Sequence, residues 1–223
     1  VYKRQDWQDQ ALQQGVSYRA NVSASGGDER TKFYISGSFL DEESIFIGNE
    51  YLKLSTRTNL EHKITDDLTI GTRLFFTYID SSPVPVQNGL GRSNQNLPIH
   101  PVFKPDGTYF NPLRSVRASL DNWENNSKAR TFLANWFLNY KLADGLSYRA
   151  EYGINSINNN DASYLSSIID SNGEARAFSS AGSRNSWNFK NLLNYRNTFG
   201  KHRLDVLAGV EASKNTIKVN NIR

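Results

Sequence analysis

From Tyr51 to Asp80 the chain alternates apolar and polar residues almost without interruption. Leu52, Leu54, Thr56, Thr58, Leu60, His62 and Ile64 fall on one parity. Tyr51, Lys53, Ser55, Arg57, Asn59, Glu61 and Lys63 fall on the other. After Thr65-Asp66-Asp67 the alternation resumes with Leu68, Ile70, Thr72, Leu74, Phe76 and Tyr78 against Thr69, Gly71, Arg73, Phe75 and Thr77. Successive side chains of a strand point to opposite faces, so this pattern predicts a hairpin with one greasy and one charged face. Each run lasts about 11–13 residues, roughly twice a usual globular strand. A strand of about 11 residues tilted by about 40° covers the apolar band of an outer membrane, about 25 Å tall.

The same reading extends along the chain. Val1 to Gln14 is polar around Trp7 and reads as the end of an exposed loop. Val16–Ser25 and Lys32–Leu40 alternate around the turn signal Gly26-Gly27-Asp28. From Ala129 the pattern returns through Phe132, Trp136 and Tyr140, turns at Ala143-Asp144-Gly145, and continues through Tyr148, Tyr152 and Ile154. Trp187, Phe189, Leu193 and Tyr195 mark another strand, its apolar face broken by Asn191. Leu204, Val206, Ala208 and Val210 mark the last, and Ser213 to Arg223 reads as the start of a loop. Two stretches lack alternation and read as long loops, about 81–128 and 156–185. The first holds all six prolines, Pro83, Pro85, Pro98, Pro101, Pro105 and Pro112, which lack the donor a sheet ladder needs. This gives about eight strands whose connections alternate short and long, the asymmetry of periplasmic turns and extracellular loops in an antiparallel up-and-down transmembrane barrel. On the apolar parity, Tyr18, Tyr78, Phe132, Tyr152 and Trp187 fall toward the long loops, and Phe33, Tyr140, Tyr148 and Tyr195 toward the short turns. Two aromatic belts are what a barrel wall predicts.

Composition narrows the chemistry. The 223 residues contain no Cys and no Met, begin at Val1, and carry a formal charge of +4 with a mean hydropathy of -0.60. Such a start is expected of a processed chain or an interior piece. Without Cys there is no disulfide or thiolate metal site. No basic block marks a nucleic-acid surface, so no nucleic-acid partner is expected. His62, His100 and His202 are isolated, with no partner at ligand spacing, and no phosphate-cradling glycine loop or nucleophile elbow occurs. Asp170-Ser171-Asn172-Gly173 lacks the acidic twelfth position of a calcium loop and reads as a turn. No catalytic residue, metal site or cofactor is implied, and the chain does not read as an enzyme.

Four stretches, DWQDQALQQGVSYRANVSASGGDERTKFYISGSFLDEES, YLKLSTRTNLEHKITDDLTIGTRLFFTY, LNYKLADGLSYRAEYGIN and NFKNLLNYRNTFGKHRLDVLAGVEAS, together resemble the barrel of the SusC/RagA family of TonB-dependent outer-membrane transporters. The resemblance implies an all-β wall segment, about eight strands of a 22-stranded barrel, without the plug domain that fills the pore. It implies that the larger protein sits in a Gram-negative outer membrane and imports oligosaccharides or peptides. Energy would come from the TonB complex acting through the missing plug region. The expected partners are a SusD-like surface lipoprotein over the mouth, the substrate, and membrane lipid.

Within that frame the polar parity is the lumen wall, with Arg57, Arg73, Arg149 and Glu151 as its representative charges. Each is also readable as a structural charge paired across strands, since a charge away from water needs a partner. The loop aromatics Tyr109, Phe110, Trp123 and Trp7 are candidates for contact with ligand or lid, and equally for small apolar clusters that shape a long loop. Two other architectures fit parts of the pattern: a self-contained barrel of about eight strands with a structural or adhesive role, whose first and last strands would pair, and a soluble all-β glycan-binding module, whose apolar parity would lie under a second layer.

Overall fold

The computed structural model describes residues 4–84 and 96–222. Pro85, Val1 and Arg223 lie outside the described residues. Eight strands form one antiparallel sheet in sequence order: β1 (Val16–Gly27), β2 (Thr31–Glu43), β3 (Glu50–Lys63), β4 (Leu68–Ser82), β5 (Trp123–Ala143), β6 (Leu146–Leu165), β7 (Arg176–Phe199) and β8 (His202–Ile222). A short helix α1 (Val116–Asn122) precedes β5, and a single 3-10 turn, Ser167–Ile169, follows β6. Tight connections follow β1, β3, β5 and β7, and longer ones follow β2, β4 and β6.

Register keeps the parities together. One row runs Phe33, Leu60, Thr72, Trp136, Tyr152, Phe189, Ala212, so the apolar parity of every strand falls on one face. Among the described residues nothing covers that face: Leu54 is 41% exposed, Trp136 40% and Val206 48%, and Leu74 is only half-buried. The described residues thus supply no second layer of the kind that the soluble sandwich needs. Among the described residues β1 pairs only with β2 and β8 only with β7, so the sheet is open and the eight-stranded closed barrel is not formed.

The tilt can be worked from the register. Lys32, at the tight end of β2, lies level with Glu211, nine residues above the His202 end of β8. The hairpin ends therefore slide about 1.5 residues per strand. At the other border the last outward apolar residue of β2, Phe39, is level with Lys218. On β8 the unbroken outward apolar run ends at Ala212, a slide of about one residue per strand. With about 3.3 Å per residue and about 4.8 Å between strands, these slides correspond to strands inclined by about 35–45°, the inclination of barrel strands. On β4 the outward apolar run from Leu68 to Tyr78 then spans about 25 Å along the barrel axis.

Three loop expectations need correcting. Most of 156–185 is strand: β6 continues to Leu165, β7 starts at Arg176, and the connection is only 166–175. Likewise 81–128 ends early, because β5 begins at Trp123, and 213–222 continues β8. These extensions carry Asn, Ser and Lys on the outward face because they lie beyond the apolar band. The ladder that defines them is made by backbone pairs such as Asn158↔Ser183 and Ser183↔Lys218. As a result β5–β8 have 20 to 24 residues and β1–β4 only 12 to 15.

The tight turns use glycine where the backbone needs it. At Gly145 φ is +77°, and a Cβ would lie 2.4 Å from the Arg196 carbonyl oxygen. Asn191, which breaks the apolar face of β7, accepts a hydrogen bond from the Tyr148 hydroxyl on β6 at 2.5 Å, so its polar group is satisfied within the wall.

Candidate functional site: the polar wall and the loop platform

The inward face of the sheet gathers three of the four expected lumen charges around one aromatic ring. Phe137, 6% exposed, lies over Gly71 of the neighbouring strand, where a Cβ would come within 2.3 Å of the ring. The guanidinium of Arg73 sits 5.3 Å and that of Arg149 4.9 Å from the ring centroid, a double cation–π arrangement. Arg149 is also ion-paired with Glu151 on its own strand and donates from Nη1 to Asn139 Oδ1 at 2.8 Å. Arg57 stands diagonally from Arg73 across the β3–β4 pair. Both line a recess of about 450 Å³ with Asn59, Asn135, Asn155 and Asn188. Lys190 and Glu211 face each other across β7 and β8 at 3.5 Å. This face thus combines fixed charges and amides with a few apolar side chains such as Phe75, Leu133 and Phe137.

At the long-loop end, residues 4–15, the 44–49 connection and residues 96–122 build a platform. Trp7, Ala11, Val102 and Val116 form its buried core, with Leu12 and Leu120 packed against it. The indole N–H of Trp7 donates to the Leu97 carbonyl at 3.1 Å, Gln5 N–H to Pro98 O at 2.7 Å, and Ile47 N–H to Ala11 O at 3.1 Å. The N-terminal segment is therefore tied into the platform. Polar composition hid this, because the segment buries only one aromatic and one alanine. Ser115 caps α1, its hydroxyl accepting from the Ala118 N–H at 3.2 Å.

The four loop aromatics separate. Trp7, 5% exposed, belongs to the core and has no free face. Tyr109 is half-buried: its hydroxyl donates to Asp121 Oδ2 at 2.8 Å, and Asp121 also holds Arg117 at 2.7 Å. Burial first, then the Asp121 carboxylate, pushes the Tyr109 phenol above its ordinary value. Phe110, 41% exposed, lies 5.1 Å from the His100 ring, and Phe103 stands 5.1 Å from Tyr109. Trp123 is the first residue of β5, donates to Ser163 Oγ at 3.3 Å, and with Leu120, Pro83, Val84 and Phe178 lines a recess of about 760 Å³. Sequence reasoning missed Leu97, Ile99 and Phe103, which are exposed beside Phe110. The signal was the alternation of apolar residues with Pro98 and Pro101 in a segment unable to form a strand.

Among the described residues no group of His, Asp and Glu is arranged to hold a metal. His62 shares a hydrogen bond of 2.8 Å with Thr31 Oγ1 near the first tight turn. Among the described residues no helix is long and apolar enough to cross a membrane.

No protein-family model matches the chain. It is 26% identical over 96% of its length to "TonB-dependent receptor P26" of Formosa agariphila and 28% identical over 97% to "TonB-dependent receptor P39" of the same organism. It spans only 23% and 22% of those relatives. Among solved structures it overlays the RagAB peptide transporter with a TM-score of 0.74 at 19% identity, covering 98% of this chain and 27% of that one. These matches are receptors and a transporter rather than enzymes.

Proposed function

Since the chain is a SusC/RagA-like stretch of TonB-dependent transporter wall, we propose that the full-length protein carrying it is an active nutrient importer of a Gram-negative outer membrane. Its substrates are oligosaccharides or peptides, energised by TonB through a plug domain and delivered beneath a SusD-like lipoprotein. The observation that carries this reading is the two-faced sheet: a bare apolar band of membrane height backs a charged, amide-rich inner wall. The open edges at β1 and β8 also support it. Backbone groups within a bilayer must be satisfied by the structure itself, so both edges call for further strands. Exposed Phe110, Phe103, Ile99 and Leu97 on the platform support contact with lid or substrate at the mouth.

The test is uptake in the native bacterium. Deleting the gene for the full-length protein abolishes accumulation of a labelled oligosaccharide pool or a labelled peptide pool, and deleting TonB has the same effect. Undiminished accumulation of both pools without the protein overturns the proposal.

A further inference from the structure

Outward-facing charge is unevenly placed around the apolar band. At the tight-turn end, no strand position on the outward parity carries Lys or Arg among the described residues; the outward residues there include Leu68, Leu142, Leu146, Tyr195 and Leu204. At the long-loop end of β5–β8, Arg130 and Lys214 are the first outward positions beyond the band, and Lys128 and Lys218 follow higher on the same two strands. Arg130 and Lys218 share one register row with Asn158 and Ser183 between them, so about 14 Å separates the two cations at about 4.8 Å per strand. Lys214 is the register partner of Trp187, the last aromatic of the band on β7. Arg130 lies 5.8 Å from the Tyr78 ring, and Lys128 is 3.4 Å from Asp80. Arg130, Lys214 and Lys218 are exposed and make no ion pair among the described residues. On β2–β4 the outward border is acidic instead, with Asp41, Glu43, Glu50 and Asp80.

Resting on the membrane reading above, we propose that the outward rim of β5–β8 is a docking surface for phosphate-bearing headgroups of the lipid leaflet that meets the long-loop end. The chemistry follows from position. Cations directly above a greasy band sit where acyl chains give way to headgroups. Long Lys and Arg stems lie along the apolar surface while their charged ends reach the phosphate plane. Asn158, Ser183 and Asn185 supply neutral donors between the charges. The aromatic rings of Tyr78, Phe132 and Trp187 seat the glycerol or sugar level beneath. The acidic border of β2–β4 repels the same headgroups, so the site covers one arc of the wall.

The experiment uses the full-length protein purified in a neutral detergent. Radiolabelled lipid A is compared with the same lipid stripped of phosphate, as lipid retained after gel filtration at low salt. The triple variant R130Q/K214Q/K218Q retains on the order of a hundredfold less phosphorylated lipid, roughly fivefold per cation. It binds the dephosphorylated lipid like wild type. The pair D41N/E50Q, on the acidic arc, does not lower retention. A gel assay of heat-dependent mobility confirms that each variant is folded. Equal retention of both lipids, an unchanged triple variant, or displacement by millimolar inorganic phosphate overturns the proposal. Substrate uptake is measured in parallel: loss of uptake by wild type speaks against the importer reading alone, because lipid retention is scored independently of it.

Discussion

Leu74 and Leu133 offer the sharpest test of the two-faced wall. They occupy neighbouring strands one step apart in register, since Leu133 pairs with Phe75, yet they project to opposite faces. Leu74 lies six residues above Leu68 on a run whose apolar part ends at Tyr78. At about 3.3 Å per residue and about 40° of tilt it sits about 15 Å up a band about 25 Å tall, close to the midplane. Arginine there must either bury its charge among acyl chains or distort the bilayer, at about 2–4 kcal/mol. Leu133 is 38% exposed on the polar face, where water and Asn155, its register partner on β6, receive an arginine at about 1 kcal/mol or less. The assay is reversible denaturant unfolding of the full-length protein folded into phospholipid vesicles, followed by tryptophan fluorescence. Leu74→Arg lowers stability by at least about 2 kcal/mol more than Leu133→Arg, given that midplane penalty. Equal losses, or a larger loss for Leu133→Arg, refute the assignment of faces.

Further outcomes follow from particular contacts. Gly71→Val drives a side chain into the Phe137 ring and costs about 1–3 kcal/mol by overpacking; pairing it with Phe137→Ala in the same unfolding assay recovers part of the loss, and additive losses argue against the contact. Ser115→Ala removes the cap of α1 at about 1 kcal/mol, read as faster proteolysis or amide exchange across 96–122 with the barrel unfolding midpoint unchanged. Trp7→Ala opens the platform core and accelerates exchange in the same residues, whereas substrate affinity changes only through that loosening. The Asp106 carboxylate is held below its ordinary value of 3.8 by the Thr108 hydroxyl and then the Thr108 N–H. Its folded pKa being depressed, its contribution is complete above that ordinary value and is lost as pH falls through the lower folded value. The protection factor of the Thr108 amide, taken relative to the intrinsic exchange rate at each pH, is therefore unchanged between neutral pH and about 5 and falls only in stronger acid; a fall already near pH 6 contradicts it.

Alternation made the membrane-height part of each strand readable, because water on one side and lipid on the other impose a period of two. Leu52–His62 and Leu68–Tyr78 fall in β3 and β4 with their parities intact, and Ile64 begins the turn. The same logic explains what was unreadable. Asn158, Asn160, Ser179, Ser183 and Lys218 stand on strand extensions beyond the apolar band, so the side chains carry no periodic mark and only backbone pairing shows the ladder. Trp7 was legible as an aromatic in polar surroundings, but not as a core residue, since its enclosure depends on Val102 and Val116 about a hundred positions away. The grouping of Arg73, Arg149 and Glu151 around Phe137 likewise needs the register of β4, β5 and β6. Spacing along the chain does not contain it.

The unequal strands give the mouth a stepped outline. Above the apolar band β6, β7 and β8 continue for about ten residues, about 25 Å at their tilt, whereas β2, β3 and β4 stop within about four, about 10 Å. If the full-length protein is the proposed importer, a solute drifting in from the medium meets a parapet on one flank and a low sill, carrying the Trp7 platform, on the other. In the proposed importer, entry over this part of the rim is thereby oblique, and a lid over the opening meets a slope rather than a flat ring.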